Sequence, residues 1–235
     1  MLAVYKKEMR SYFTSVIGYV FLVLYLIIAG AVFCYSTLFS MSSDVTTFYT
    51  FMLIVSSVML PLLTMKSFSE ERKAKTEQLL LTSPVSIIGI VAGKFLAAYT
   101  VFAACMVLNS LYFFFLAAYS YLKVAVLIGN LVAMLLVGMV YIAIGLFVSS
   151  LTENQLSAAI GTIAIILVFM GVGMISSLVP ANYWFRFVVE ALSVFTRFQS
   201  FVNGYFEFAS VIYYLSVSAV FVWLTIRVYD RRRFG

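Results

Sequence analysis

Apolar runs long enough to cross a ~30 Å hydrocarbon core as helices, about twenty residues each, recur from one end of the chain to the other and are separated by short polar stretches. Six spans are predicted, at 17–39, 48–65, 87–118, 124–149, 157–178 and 210–228. The apolar runs are continuous, without the strict alternation of a barrel strand. In hydrocarbon each backbone N–H and C=O needs an internal partner, so the spans are expected to be α-helices. The third exceeds what the core requires, which predicts a tilt or a portion lying in the interface. The expected fold is all-α: a polytopic membrane protein forming a single transmembrane domain over residues 1–235, with short connections between antiparallel neighbours.

Two polar islands stand out against this background. In residues 1–15, "MLAVYKKEMRSYFTS", Leu2, Tyr5, Met9, Tyr12 and Phe13 can share one helical face while Lys6, Lys7 and Arg10 share another. That pattern predicts an amphipathic helix along the membrane surface, serving as a topology anchor or as a lever packed on the bundle. The apolar segment after it is too long for a secretory signal core and lacks a small-x-small cleavage site, so it is expected to remain as an anchor.

The second island, "KSFSEERKAKTEQLLLTSPVSIIG" (66–89), concentrates charge between the second and third spans. Ser67-x-x-Glu70 reads as a capping box, which predicts a helix beginning at Ser67 with Glu70 and Glu71 at its positive end. Glu71 precedes Lys75 by four residues, the favourable order for an ion pair. Leu79, Leu80 and Leu81 crowd the far end, and Ser83-Pro84 closes this helix and opens the next. The expected element spans 67–84. It is either a solvated return loop or a helix offered to a partner whose motion it passes to two spans.

Composition supports the membrane assignment. Of 235 residues, 64% are hydrophobic and only 10% charged, with a mean hydropathy of +1.10; soluble domains carry about 25% charged residues. Lys and Arg set the orientation. With the N-terminus inside, Lys6, Lys7, Arg10, Lys66, Arg72, Lys73, Lys75, Lys94, Arg227, Arg231, Arg232 and Arg233 lie in the cytoplasm or at its boundary, leaving Lys123, Arg186 and Arg197 outside. Both termini are therefore expected in the cytoplasm, and the net charge of +6 reports topology and attraction to anionic headgroups, with no nucleic acid as partner. The closing "DRRRF" reads as a topology anchor. The chain has no histidine, the commonest general base. Cys34 and Cys105 lie far apart in apolar runs and read as small buried hydrophobes.

Three weaker motifs remain. Thr152-x-x-Gln155 is a second possible capping box, with Glu153 and Asn154 exposed beside it for contact with a partner or with the charged helix. Between Tyr183 and Phe208, Glu190, Ser193, Arg197, Ser200 and Asn203 recur at helical spacing among Val188, Val189, Leu192, Phe195, Phe198, Phe201 and Val202. This predicts an external amphipathic helix broken at Asn203-Gly204, anchored by aromatics. Gly89-x-x-x-Gly93 would let the third span approach another backbone closely or simply pack.

The stretch "FSEERKAKTEQLLLTSPVSIIGIVAGKFLA" resembles the coupling-helix region of ABC-2-type export permeases, with Phe68, Glu70, Glu71, Thr76, Leu79, Leu80, Thr82, Pro84, Val85, Gly93 and Lys94 as matching positions. "YKKEMRSYFTSVIGYV", "GLFVSSLTENQLSAAI" and "VFTRFQSFVNGYFEFASVIYYL" resemble that family's first helix and span, second cytoplasmic turn and last external segment. Their order resembles the branch that includes permeases of gliding-motility and nitrous-oxide-reductase maturation systems. The resemblance implies an ATP-driven exporter in a bacterial plasma membrane, in which two permease copies, or one with a related permease, pair with two cytoplasmic ABC ATPase subunits. An auxiliary membrane subunit is a possible further partner. It also implies that Phe68, Glu70, Glu71, Arg72, Thr76, Glu77, Leu79, Leu80, Thr82 and Pro84 form the ATPase-coupling segment, and that Glu190, Arg197, Phe198, Asn203 and Gly204 belong to short re-entrant helices closing the external end.

No G-x-x-x-x-G-K-[ST] loop occurs in the sequence. This chain is thus expected to bind no cofactor and catalyse nothing itself, with ATP and Mg on the partner. Two other classes compete: a non-transporting membrane scaffold that passes force to an extracytoplasmic partner, and an ion-driven secondary transporter. The latter keeps ionisable residues near the membrane midplane; here Lys94 sits near a boundary and the other spans carry none well inside.

Overall fold

A computed structural model describes residues 1–41, 45–78, 85–117, 124–176, 193–202, 204 and 207–234. Among these, all regular structure is helical: α1 (Leu2–Thr14), α2 (Val16–Phe33), α3 (Val45–Thr64), α4 (Lys66–Lys73), α5 (Ile87–Ala117), α6 (Val124–Leu151), α7 (Gln155–Ser176), α8 (Val194–Val202) and α9 (Phe208–Phe234). Six segments are long and apolar enough to cross a membrane, namely Gly18–Phe39, Val45–Lys73, Ile87–Phe114, Val124–Leu151, Gln155–Val172 and Phe208–Arg233. They coincide with the six predicted spans. α5 is the long one expected, 31 residues or about 46 Å at the helical rise.

α6 is the axis of the bundle. Of its apolar window 72% is buried, against 22% for the spans of α7 and α9. It packs on α3, α5, α7, α8 and α9, and that environment explains its sequence, an apolar run with no polar stripe. Two glycines permit the close approaches. A Cβ at Gly138 would fall 2.0 Å from the Phe102 ring of α5, and one at Gly145 would fall 2.1 Å from Thr64 Oγ1 at the end of α3. Aromatic residues fill the space between α2, α3 and α5, where Phe33, Phe48, Tyr49 and Phe113 meet edge-to-face or stacked. Because lipid offers apolar side chains as good a home as protein does, close packing of this kind is what holds spans together.

One feature was not foreseen: α2 continues into a π-helical turn, Cys34–Phe39, at the end of the first span. The charged helix follows the second span tightly, as expected: α3 turns at Met65 directly into α4, which starts at Lys66.

Candidate functional site

α4 and its surroundings gather at one end of the bundle. The expected capping box does not form. Met65, the residue before α4, is itself in helical conformation, and the Ser67 hydroxyl is buried with no hydrogen-bond partner. Ser149 of α6 caps α4 instead. Its Oγ accepts the N–H groups of Phe68 and Ser69, each at 3.1 Å, and donates to the Met65 carbonyl at 3.1 Å. One donor and two lone pairs are all a hydroxyl has, and all are used. Gly145, one turn earlier on α6, makes this possible by admitting the end of α3 against the α6 backbone.

The Glu71–Lys75 pair does not form either. α4 has ended by Lys73, Lys75 takes a left-handed φ of +55°, and both Glu71 oxygens are taken elsewhere. Oε2 lies 3.0 Å from Lys94 Nζ of α5, and Oε1 lies 3.1 Å from Lys7 Nζ of α1. Lys94 is 2% exposed. Its ammonium also donates to Glu8 Oε1 at 2.9 Å and to the Ser67 carbonyl at 2.6 Å, and it stands 4.9 Å from the centre of the Phe68 ring. Three acceptors match the three protons of an ammonium group. A charge out of water is tolerated only with such full pairing. The sequence marked Lys94 only as a family position at a span boundary and did not single out Glu8. The observed role of Glu8 follows from its place on the buried face of α1.

That face packs on the start of α5 over Gly89 and Gly93, where added Cβ atoms would meet Met1 N at 3.3 Å and Val4 Cβ at 3.0 Å. The glycine pair therefore serves close backbone approach, with α1 as the neighbour. Tyr12 lies close enough to Glu8 to feel its charge, and burial followed by that carboxylate pushes its phenol well above the ordinary tyrosine range, so it stays neutral.

The opposite flank of α4 is tied to two further elements. Arg72 Nε reaches Glu153 Oε1 at 3.1 Å, and its Nη1 donates to the Leu151 carbonyl at 2.8 Å. Of the two options for the 151–155 turn, contact with the charged helix is therefore the one observed. The cap of α7 is Asn154, not Thr152: Asn154 Oδ1 accepts the Leu156 N–H, while the Thr152 hydroxyl turns back to the Val148 carbonyl. Arg232 bonds Glu77 Oε1 and the Ser150 carbonyl, each at 2.8 Å, so the basic C-terminus does more than anchor topology. Phe68 is buried against Tyr229 of α9, ring centres 4.8 Å apart.

The predicted coupling residues thus divide. Phe68, Glu71, Arg72 and Glu77 turn toward the bundle and join α4 to α1, α5, α6 and α9. Glu70 and Thr76 are exposed, as are Lys73 and Lys75. The 67–84 helix is not continuous, because a turn through Lys75 interrupts it; Leu79, Leu80, Thr82 and Pro84 lie outside the described residues.

At the other end of the bundle, α8 is capped by the Ser193 hydroxyl, which accepts the Thr196 N–H at 3.1 Å. It ends at Val202, and Gly204 follows with a φ of +84°, which agrees with the predicted break. Phe198 is buried in the bundle, and the Arg197 guanidinium stacks over the Tyr213 ring at 4.5 Å. Glu190 and Asn203 lie outside the described residues.

Six helices long and apolar enough to span, with a short charged helix held between the second and third, define a multi-pass helical membrane protein. The chain belongs to the ABC-2 family transporter proteins, whose family model matches residues 35–227, and it is a permease component of an ABC transporter. No curated protein matches it.

Proposed function

We propose that this chain is the membrane half of an ATP-driven export complex, and that α4 is the element through which a separate cytoplasmic ABC ATPase moves the bundle. The charged end is then cytoplasmic, with both termini on that side of a bacterial plasma membrane, and the ATPase meets the exposed Glu70, Lys73, Lys75 and Thr76. A second permease copy completes the pathway.

One observation carries the reading. α4 is bonded at the same time to α1, α5, α6 and the C-terminal end of α9, by Glu71, the Lys94 ammonium, Ser149 and the contacts of Phe68. A solvated return loop needs no such grip. A push on α4 reaches four elements through paired groups, buried apart from the half-buried Glu71 and its exposed partner Lys7, so little of the displacement is lost in side-chain motion. Among the described residues the buried ionisable cluster lies at the end of the bundle, where α1 meets the start of α5, which suits a mechanical joint better than a midplane ion path.

The test is co-purification with the cognate ATPase. Lys73→Glu with Lys75→Glu should lose the ATPase while leaving the permease folded. Lys94→Met should keep ATPase binding but uncouple hydrolysis from transport. ATPase retained at full level in the double charge reversal would refute the docking assignment.

A further inference from the structure

Beside the Lys94 cluster, a cavity of about 130 Å³ opens between α1 and the bend that joins α3 to α4, lined by Glu8, Ser11, Tyr12, Ser15, Leu63, Lys66, Ser67 and Glu70. That is several times the roughly 10–15 Å³ one bound water needs, and one water could not span it. Its wall holds three polar groups for which the described residues supply no hydrogen-bond or ion-pair partner. The Ser67 hydroxyl has none, in a residue only 6% exposed. Lys66 and Glu70 form no ion pair among the described residues, although their neighbours Glu71 and Arg72 are both paired. Lys66 precedes Glu70 by one turn, the less favourable order for pairing with each other. Lys66 and Glu70, one turn apart on α4, thus bring a cation and an anion to the same cavity, whose lining also holds the hydroxyls of Ser11, Ser15 and Ser67.

We propose that this cavity binds the headgroup of an ethanolamine-type phospholipid. The phosphate takes Lys66 and the hydroxyls of Ser11, Ser15 and Ser67. The primary ammonium, with three donors, takes Glu70 and the Glu8 oxygen that does not face Lys94. The two-carbon bridge between phosphate and ammonium spans about one helical turn, so both charges are met together. A choline headgroup has no N–H to donate, and a glycerol headgroup has no cation for Glu70. Position selects a lipid over a soluble phosphate ester. Ser15 lies three residues before the first membrane-crossing segment and Lys66 two residues past the end of α3, and next to the lining residues Ser15 and Leu63 are Val16 and Leu62, both apolar and exposed, where acyl chains would lie. Bound there, the lipid would hold α1 against the base of α4 from the side opposite Lys94. Glu70 belongs also to the surface assigned to the ATPase, so the site is tested on the permease alone, where that assignment plays no part.

The experiment titrates the detergent-purified full chain with short-chain phosphatidylethanolamine, phosphatidylglycerol or phosphatidylcholine, following its melting temperature, with free phosphoethanolamine as a fourth ligand. Phosphatidylethanolamine should raise the melting temperature most. Lys66→Gln and Glu70→Gln should each weaken it about tenfold, as expected for loss of one charge-assisted hydrogen bond, and erase the headgroup preference. Ser67→Ala should weaken it less, and Lys6→Gln, an exposed charge on α1, should leave the preference intact. Equal shifts from the three lipids, or a preference that survives in both Lys66→Gln and Glu70→Gln, would overturn the site. Free phosphoethanolamine binding as tightly as the lipid would overturn the assignment to a lipid.

Discussion

The two ends of the bundle handle polar groups differently. At the charged end, Lys94, Glu8, Glu71, Arg72, Glu77, Ser149 and Arg232 all have partners, most at 2.6–3.1 Å, and the Ser67 hydroxyl is the exception. Toward the other end, Asn109 in α5 has both side-chain polar atoms buried without a partner among the described residues, Asn130 in α6 has its oxygen so, and Arg197 Nε is likewise unbonded. Buried polar groups normally find partners, and leaving one unmet costs about 1–3 kcal/mol. The charged end is therefore the more fully paired of the two. Under the coupling role proposed above, force would enter through that paired end, and the packing would rearrange where buried polar groups are unmet.

The most severe test of that contrast is Lys94→Met. It leaves Glu8 and Glu71 buried with their main counter-charge gone, an error expected to cost about 3–5 kcal/mol. Thermal denaturation of the purified protein should show a large drop. Adding Glu8→Gln and Glu71→Gln to the same chain should recover much of it, because the residual charge is then removed as well. If the single substitution melts like the parent, the joint is not a closed unit.

Gly145→Val comes next. The new side chain would collide with Thr64 and push the end of α3 off α6, at an overpacking cost of about 1–3 kcal/mol. It would also withdraw Ser149 from Met65, Phe68 and Ser69, so coupling of ATP hydrolysis to transport should fall more than stability does. Ser149→Ala should reproduce the coupling loss with little change in packing. A coupling ratio unchanged in both variants would mean that the stitch between α6 and α4 carries no force.

How much of this could be read from the sequence follows the same divide. The spans, the amphipathic first helix and the break at Asn203-Gly204 were legible because each rests on a local pattern: run length, helical periodicity, or a glycine in left-handed conformation. The joint was not, because its partners are far apart in the chain. Ser67 and Glu70 make a good local capping box, yet Ser149, eighty residues on, supplies the cap. A serine inside an apolar run gives no sign of which distant amides it will meet. Glu71 and Lys75 suit each other by spacing, but Lys94 offers Glu71 a buried partner that an exposed lysine cannot match. Lys94 is the one signal that could have been followed further, since an ammonium within a spanning helix must find acids somewhere, and Glu8 is among the few available.

Asn109→Leu probes the opposite end and should act in the opposite direction. Removing two orphaned polar atoms from an apolar surrounding should stabilise the resting state by about 1–2 kcal/mol, provided the leucine fits the space of the amide. If those atoms serve another state of the transporter, activity should fall while the melting temperature rises. A rise in both would mark Asn109 as a packing flaw with no part in transport.

The smallest effect is expected for Glu153→Gln. Its partner Arg72 is 28% exposed at the side chain and Glu153 itself 65%, so screening by water leaves the pair worth less than about 1 kcal/mol. Arg72 also keeps its bond to the Leu151 carbonyl, which does not depend on the acid. Stability should therefore stay within error of the parent, even though the pair looks like part of the same network as Lys94. Arg72→Gln removes both contacts and should lower coupling measurably. Should Glu153→Gln prove as damaging as Lys94→Met, the distinction between a buried, fully paired joint and its solvent-facing rim would fail, and the charged end would have to be treated as one uniform electrostatic surface.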